Sequence, residues 1–259
     1  MQNRPKKTFN GGDIKRALKR ALKYLKNNTE LLQQKQGSTE DLVFETLKKF
    51  LGEVSDDLRV FHDAEAVKEW REKFDAQNLS NAEMAAIALV FEPNGSQGNP
   101  DFWVAWNYRY LSFTVKSTKN GTVKWNSGLP EGEDVCIFAR TKEDTRNPKG
   151  ITYVMGEEVY SSADIKRIKI ARAKLRACED EVEITYPIGD EKTARSYEHF
   201  RCDRMDDRNW NTPPFSDGNS KRERNVEEYI DGFNWGIPSS AATDVGLSLA
   251  SSTATLQKV

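Results

Sequence analysis

Two runs of aromatic and β-branched residues, 102–106 and 110–115, lie almost end to end, parted only by Asn107-Tyr108-Arg109. Runs of that composition and length read as strands, and so short a polar link joins antiparallel neighbours, so the spacing predicts a β-hairpin. Turn material precedes it in Pro93-Asn94-Gly95-Ser96 and Gly98-Asn99-Pro100, and two further apolar runs, 135–139 and 151–155, read as buried strands.

Upstream of the hairpin the period is helical. Ile14, Ala17, Leu18, Ala21, Leu22 and Leu25 recur at helix spacing with basic residues between them. Ser38 and Asp41 form a capping pair ahead of the stripe Leu42, Val43, Leu47, Phe50 and Leu51. Val67, Trp70 and Phe74 mark a third helix, and Ser80 with Glu83 caps a fourth that opens the apolar stretch 84–91. Downstream, a helix is expected from Ser162 to about Cys178, an edge strand at 182–186 and a short helix near 227–230. Helices followed by a hairpin, two strands and a helix describe an α+β (α/β/α) fold with a mixed central sheet. The expected organisation is one domain. It has a helical N-terminal region (1–92), a core (93–190), a loop-rich segment (191–237) and a disordered Ser/Ala/Thr-rich tail (238–259).

Charge is distributed rather than excessive. The formal net charge of the 259 residues is -1, yet Asp13 is the one acid before Lys26, set among nine basic residues. A second basic run spans 166–176, and Lys221-Arg222-Glu223-Arg224 is a third. Such stripes fit either a DNA-backbone footprint or solvated helix faces. Cys136, Cys178 and Cys202 carry no CxxC pairing, which argues against a disulfide framework and a structural zinc site. His62 and His199, the two histidines, read as surface residues and leave little material for a histidine-based triad. No apolar window is long enough for a membrane span and the N-terminus has no apolar leader, so a cytoplasmic location is expected.

The chemistry-bearing pattern is Pro100-Asp101, followed thirteen residues after Asp101 by Thr114-Val115-Lys116. On a strand Thr114 and Lys116 share a face, with the carbonyl of Val115 between them. Hydrolysis of a phosphodiester uses a metal to neutralise the phosphate and acidify the attacking water. Magnesium needs only one or two carboxylates, a carbonyl and waters. Asp101 supplies a carboxylate, and Lys116 is placed to orient water or stabilise charge on phosphorus. The run that follows, through Lys119, Lys124, Trp125 and Asn126, is polar and basic with one indole, suited to phosphate and base-edge contacts. Arg204 and Arg208 lie in the loop-rich segment and are candidates for the major groove.

In the order of these motifs, from Asn99 to about Ser162, the chain resembles the PD-(D/E)xK nuclease superfamily, more narrowly the type II restriction endonucleases. The resemblance implies a restriction-endonuclease-like core and magnesium-dependent cleavage of double-stranded DNA at a specific site by a homodimer. It implies Asp101 as metal ligand, Val115 as carbonyl ligand and Lys116 as catalytic lysine. Thr114 stands where the family carries its second acid. Family members often place a helix glutamate beside the cluster, which makes Glu45 a candidate replacement, with Glu131 and Glu133 behind it. A catalytically impaired DNA-binding protein on the same fold, or a structure-specific repair nuclease, are the alternatives.

Overall fold

The structure is a computed structural model that describes residues 8–34, 37–95, 100–119, 123, 130, 132–142, 149–159, 166, 170 and 220–236. Six strands form one mixed sheet in sequence order: β1 (Arg59–Phe61), β2 (Ala88–Phe91), β3 (Phe102–Trp106), β4 (Arg109–Thr118), β5 (Val135–Arg140) and β6 (Gly150–Met155). β1 and β2 run parallel, as do β4 and β5; the other neighbours are antiparallel. The helices are α1 (Gly11–Asn27), α2 (Leu31–Gln34), α3 (Thr39–Gly52), α4 (Ala64–Asp75), α5 (Asn81–Ala85) and α6 (Ser220–Gly232), with a 3-10 turn at Gly156–Glu158. The fold is α+β, a mixed sheet with flanking helices. Among the described residues, no helix is long and apolar enough to cross a membrane.

Each sheet face has its own core. On one, Leu89, Val104, Phe113, Val115, Ile137 and Tyr153 pack against Ile14, Leu18 and Leu22 of α1, Val43 and Leu47 of α3, and Val226 and Ile230 of α6. On the other, Val67, Trp70 and Phe74 of α4 cover Ala88, Val90, Trp103 and Ala105. Successive strand residues alternate between these two layers, which is why β2, β3 and β5 are apolar at nearly every position.

That double burial explains where periodicity misleads. The region 1–92 contains two strands, and the capped helix at Ser80 ends at Ala85 instead of continuing through the apolar stretch. Ala88, Leu89, Val90 and Phe91 contribute to both faces of the sheet, and an unbroken apolar run carries no period to separate strand from helix. The hairpin itself closes on two residues, Asn107 and Tyr108, both with positive φ (50° and 57°). Asparagine tolerates that region; tyrosine does not do so readily, and here its hydroxyl accepts from the Leu79 amide at 2.7 Å.

The expected short helix near 227–230 is the last part of a longer one, α6, so the segment 191–237 includes regular structure. The anticipated helix from Ser162, the edge strand at 182–186 and the tail 238–259 lie almost entirely outside the described residues.

Candidate active site

The site forms where β4 outruns β3. The last paired rung of the hairpin is Phe102 with Phe113, and β4 continues to Thr118 alongside β5. Asp101, one residue before β3, donates its amide to the Phe113 carbonyl at 3.0 Å. The next inward-facing amide of β4, that of Val115, has no β3 residue to meet. The Asp101 side chain takes that place, its Oδ2 accepting from Val115 N–H at 2.5 Å. A strand residue turns its N–H and C=O toward the same neighbour, so the Val115 carbonyl opens on the Asp101 side as well. Lys116 reaches the same carboxylate, with Nζ 3.7 Å from Oδ2, and both side chains are mostly buried.

A second carboxylate lies near enough to this pair to feel the charges of Asp101 and Lys116. Glu40 lies in the first turn of α3, beyond the N-cap Ser38, and is half-buried. Burial raises its proton affinity above the ordinary carboxylate value, with the charge of Asp101 next in size. Lys116 and a hydrogen bond to Ser38 work in the opposite direction, and Asp41 adds to the rise. Asp101 is shifted the same way, first by burial. Lys116 and the Val115 amide counter that shift, while the charge of Glu92 adds to it.

Glu92 follows β2 in the left-handed region (φ 44°), where its amide donates to the Asp101 carbonyl at 2.8 Å and its own carbonyl accepts from Gly95 at 2.8 Å. The charge of Asp101 therefore bears on Glu40, and that of Glu92 on Asp101, with Lys116 countering both shifts. Among the described residues, no three Asp, Glu, His or Cys side chains converge closely enough to hold a metal by themselves.

Thr114 is fully buried and its Oγ1 has no hydrogen-bond partner among the described residues. It stands in register with Cys136, whose thiol is pushed well up by complete burial and then by the charge of Asp134. A hydroxyl sealed at that depth does not reach the solvent in which a metal-bound water would sit.

Glu45 points elsewhere. At about 100° per residue it lies about 140° around α3 from Glu40. It is largely exposed and pairs with Lys48 at 3.2 Å. The acid that α3 brings to the pair is Glu40, a correction with a readable cause. Val43, Phe44, Leu47 and Leu51, the buried stripe, fall three, four, seven and eleven positions after Glu40. The same periodicity that identifies the stripe therefore puts Glu40 on its inward face.

Lys119 is exposed just beyond the end of β4. Lys124, Trp125, Asn126, Arg204, Arg208 and Glu131 lie outside the described residues. Glu133 is exposed, and its charge bears on Tyr229, whose hydroxyl is raised to about 12 by burial first and then by Glu133 and Asp134.

The basic stripe of α1 is occupied within the chain. Lys19 pairs with Asp231 at 2.6 Å, Lys23 with Glu227 at 2.9 Å and Lys26 with Glu223 at 2.5 Å, while Lys15 donates to the Asp231 carbonyl at 2.7 Å. Arg16 pairs with Asp13 and Arg20 with Glu53. The lysines three and four residues apart along α1 meet acids spaced four apart on α6, so the two helices are laced antiparallel. The lysines of the stripe thus hold the C-terminal helix.

Comparisons with family models, with characterised proteins and with solved structures return no match.

Proposed function

We propose that this chain is a magnesium-dependent endonuclease of the PD-(D/E)xK kind, hydrolysing phosphodiesters of double-stranded DNA at a specific site, with Glu40 in the role the family gives to the second strand acid. The observation that carries the reading is the convergence of Asp101, Lys116 and Glu40 at the point where β4 leaves β3.

The donor set fits a hard cation. Two carboxylates and the Val115 carbonyl are all oxygen donors, and magnesium completes its shell with water. The charge of Asp101 raises the proton affinity of Glu40, a repulsion that a divalent cation would relieve. When bound, the metal supplies charge neutralisation at the phosphate and a more acidic water. The chain's own residues do the rest. Asp101 is held against the strand edge by the Val115 amide through Oδ2, and among the described residues its second oxygen is left for a ligand. Lys116 is poised beside it to orient the attacking water and to stabilise negative charge developing on the phosphate oxygens.

Purified protein incubated with plasmid DNA and magnesium is expected to yield discrete fragments. Lys116→Ala should abolish cleavage while leaving DNA binding nearly intact. Intact plasmid with both magnesium and manganese would reject the catalytic reading.

A second reading has one observation in its favour. Thr114 supplies no charge and is sealed from solvent, so the strand triplet itself has lost its acid. A DNA-binding protein on a degenerate nuclease fold would show salt-sensitive binding to duplex DNA without metal-stimulated cleavage.

A further inference from the structure

His62 follows directly on β1, and the β1–β2 register carries it onto the rung of Phe91. The imidazole stacks on the Phe91 ring at 4.4 Å with 16° between planes, and the ring of Phe44 meets its edge at 5.5 Å and 75°. Both supports border the acid cluster. Phe91 immediately precedes Glu92 and pairs with Phe102, which immediately follows Asp101. Phe44 lies one turn beyond Glu40 on α3. The ring is thus fixed on two sides by the aromatic floor beneath the acids, yet the residue is exposed. No hydrogen bond or ion pair engages its nitrogens among the described residues. The neighbouring Asp63 carboxylate is turned away to cap α4, accepting from the amides of Glu65 and Ala66.

We infer that His62 is a phosphate contact, donating a ring N–H to a backbone phosphate of the DNA strand whose scissile phosphate lies at Asp101 and Lys116; the inference rests on the nuclease reading above. Two strand spacings separate β1 from β3, about 10 Å. A DNA strand carries a phosphate for every 3.4 Å or so of rise, so a strand crossing the site meets the imidazole within roughly two or three nucleotides. A donor already immobilised by stacking loses little side-chain freedom on binding, which is what a register-fixing backbone contact requires.

The test uses the full chain and a short mixed-sequence DNA duplex, with calcium in place of magnesium so that binding is read without cleavage. His62→Phe preserves the ring stack and removes both nitrogens; His62→Gln restores an N–H donor. The expected result is an unchanged Tm for His62→Phe, about a tenfold loss of duplex affinity, and partial recovery in His62→Gln. Independently, the ring-nitrogen NMR signals of His62, identified by their absence in His62→Phe, should shift when the duplex is added. Wild-type affinity in His62→Phe, or an unmoved His62 signal in a sample that binds the duplex, overturns this contact and leaves the nuclease reading standing. A wild-type protein that binds no duplex overturns both.

Discussion

Val115 donates its backbone amide to Oδ2 of Asp101 at 2.5 Å, so a side chain performs the pairing that a missing strand residue would otherwise perform. The carboxylate is therefore part of the sheet before it is part of any chemistry. Asp101→Asn keeps an oxygen for that amide, whereas Asp101→Ala leaves it without an acceptor. Urea unfolding should show Asp101→Ala less stable than Asp101→Asn by about 1–3 kcal/mol. Equal midpoints for the two would mean the bond carries no weight.

The same two carboxylates set a pH dependence. Asp101 and Glu40 both have proton affinity raised in the folded state, first by burial. A carboxyl with a raised folded pKa contributes stability that is fully present below its unfolded value, near 4, and lost as the pH rises through the folded value. At pH 7 without divalent cation, Glu40→Gln should therefore melt above the wild type, and the gap should close as the pH falls toward 4. Magnesium should reverse the order by stabilising the wild type alone. A Glu40→Gln variant that melts lower at pH 7 would contradict the assignment of its environment.

Thr114 invites a misleading repair. Its side chain is sealed from solvent opposite Cys136, so Thr114→Glu would bury a charge instead of completing a metal site. Calorimetry should find that variant destabilised by several kcal/mol or unable to fold, with no gain in cleavage. Thr114→Val, which removes a hydroxyl without a partner among the described residues, should be neutral or slightly stabilising.

The α1–α6 lacing separates stability from DNA affinity. Glu223 is buried, pairs with the half-buried Lys26 and accepts from the Thr152 hydroxyl at 3.0 Å, so Glu223→Ala should cost about 2 kcal/mol. Lys23→Ala removes a more exposed pair with Glu227 and should cost under about 1 kcal/mol. If the stripe is internal, Lys23→Ala should also leave the salt dependence of duplex binding unchanged. A shallower slope would return α1 to the DNA surface.

Local patterns in the chain carried much of this molecule. Strand composition around Asn107 and Tyr108 determined the hairpin, and the capping pairs at Ser38 and Ser80 determined where α3 and α5 begin. The thirteen-residue spacing of Asp101 and Thr114 set the acid and the lysine side by side. Glu40 was readable too, because helical phase alone puts it with Val43, Phe44 and Leu47. Other features had no local signal. β2 is buried on both faces, so its run of apolar residues has no period until a sheet surrounds it. The depth of Thr114 depends on how strand registers stack. The partners of the α1 lysines lie 197 to 216 positions away, and only the closing of α6 against α1 brings those acids to the stripe. Short-range periodicity is written in the chain because neighbours in sequence share a face; charge neutralisation and burial are not, because they depend on which distant surface arrives.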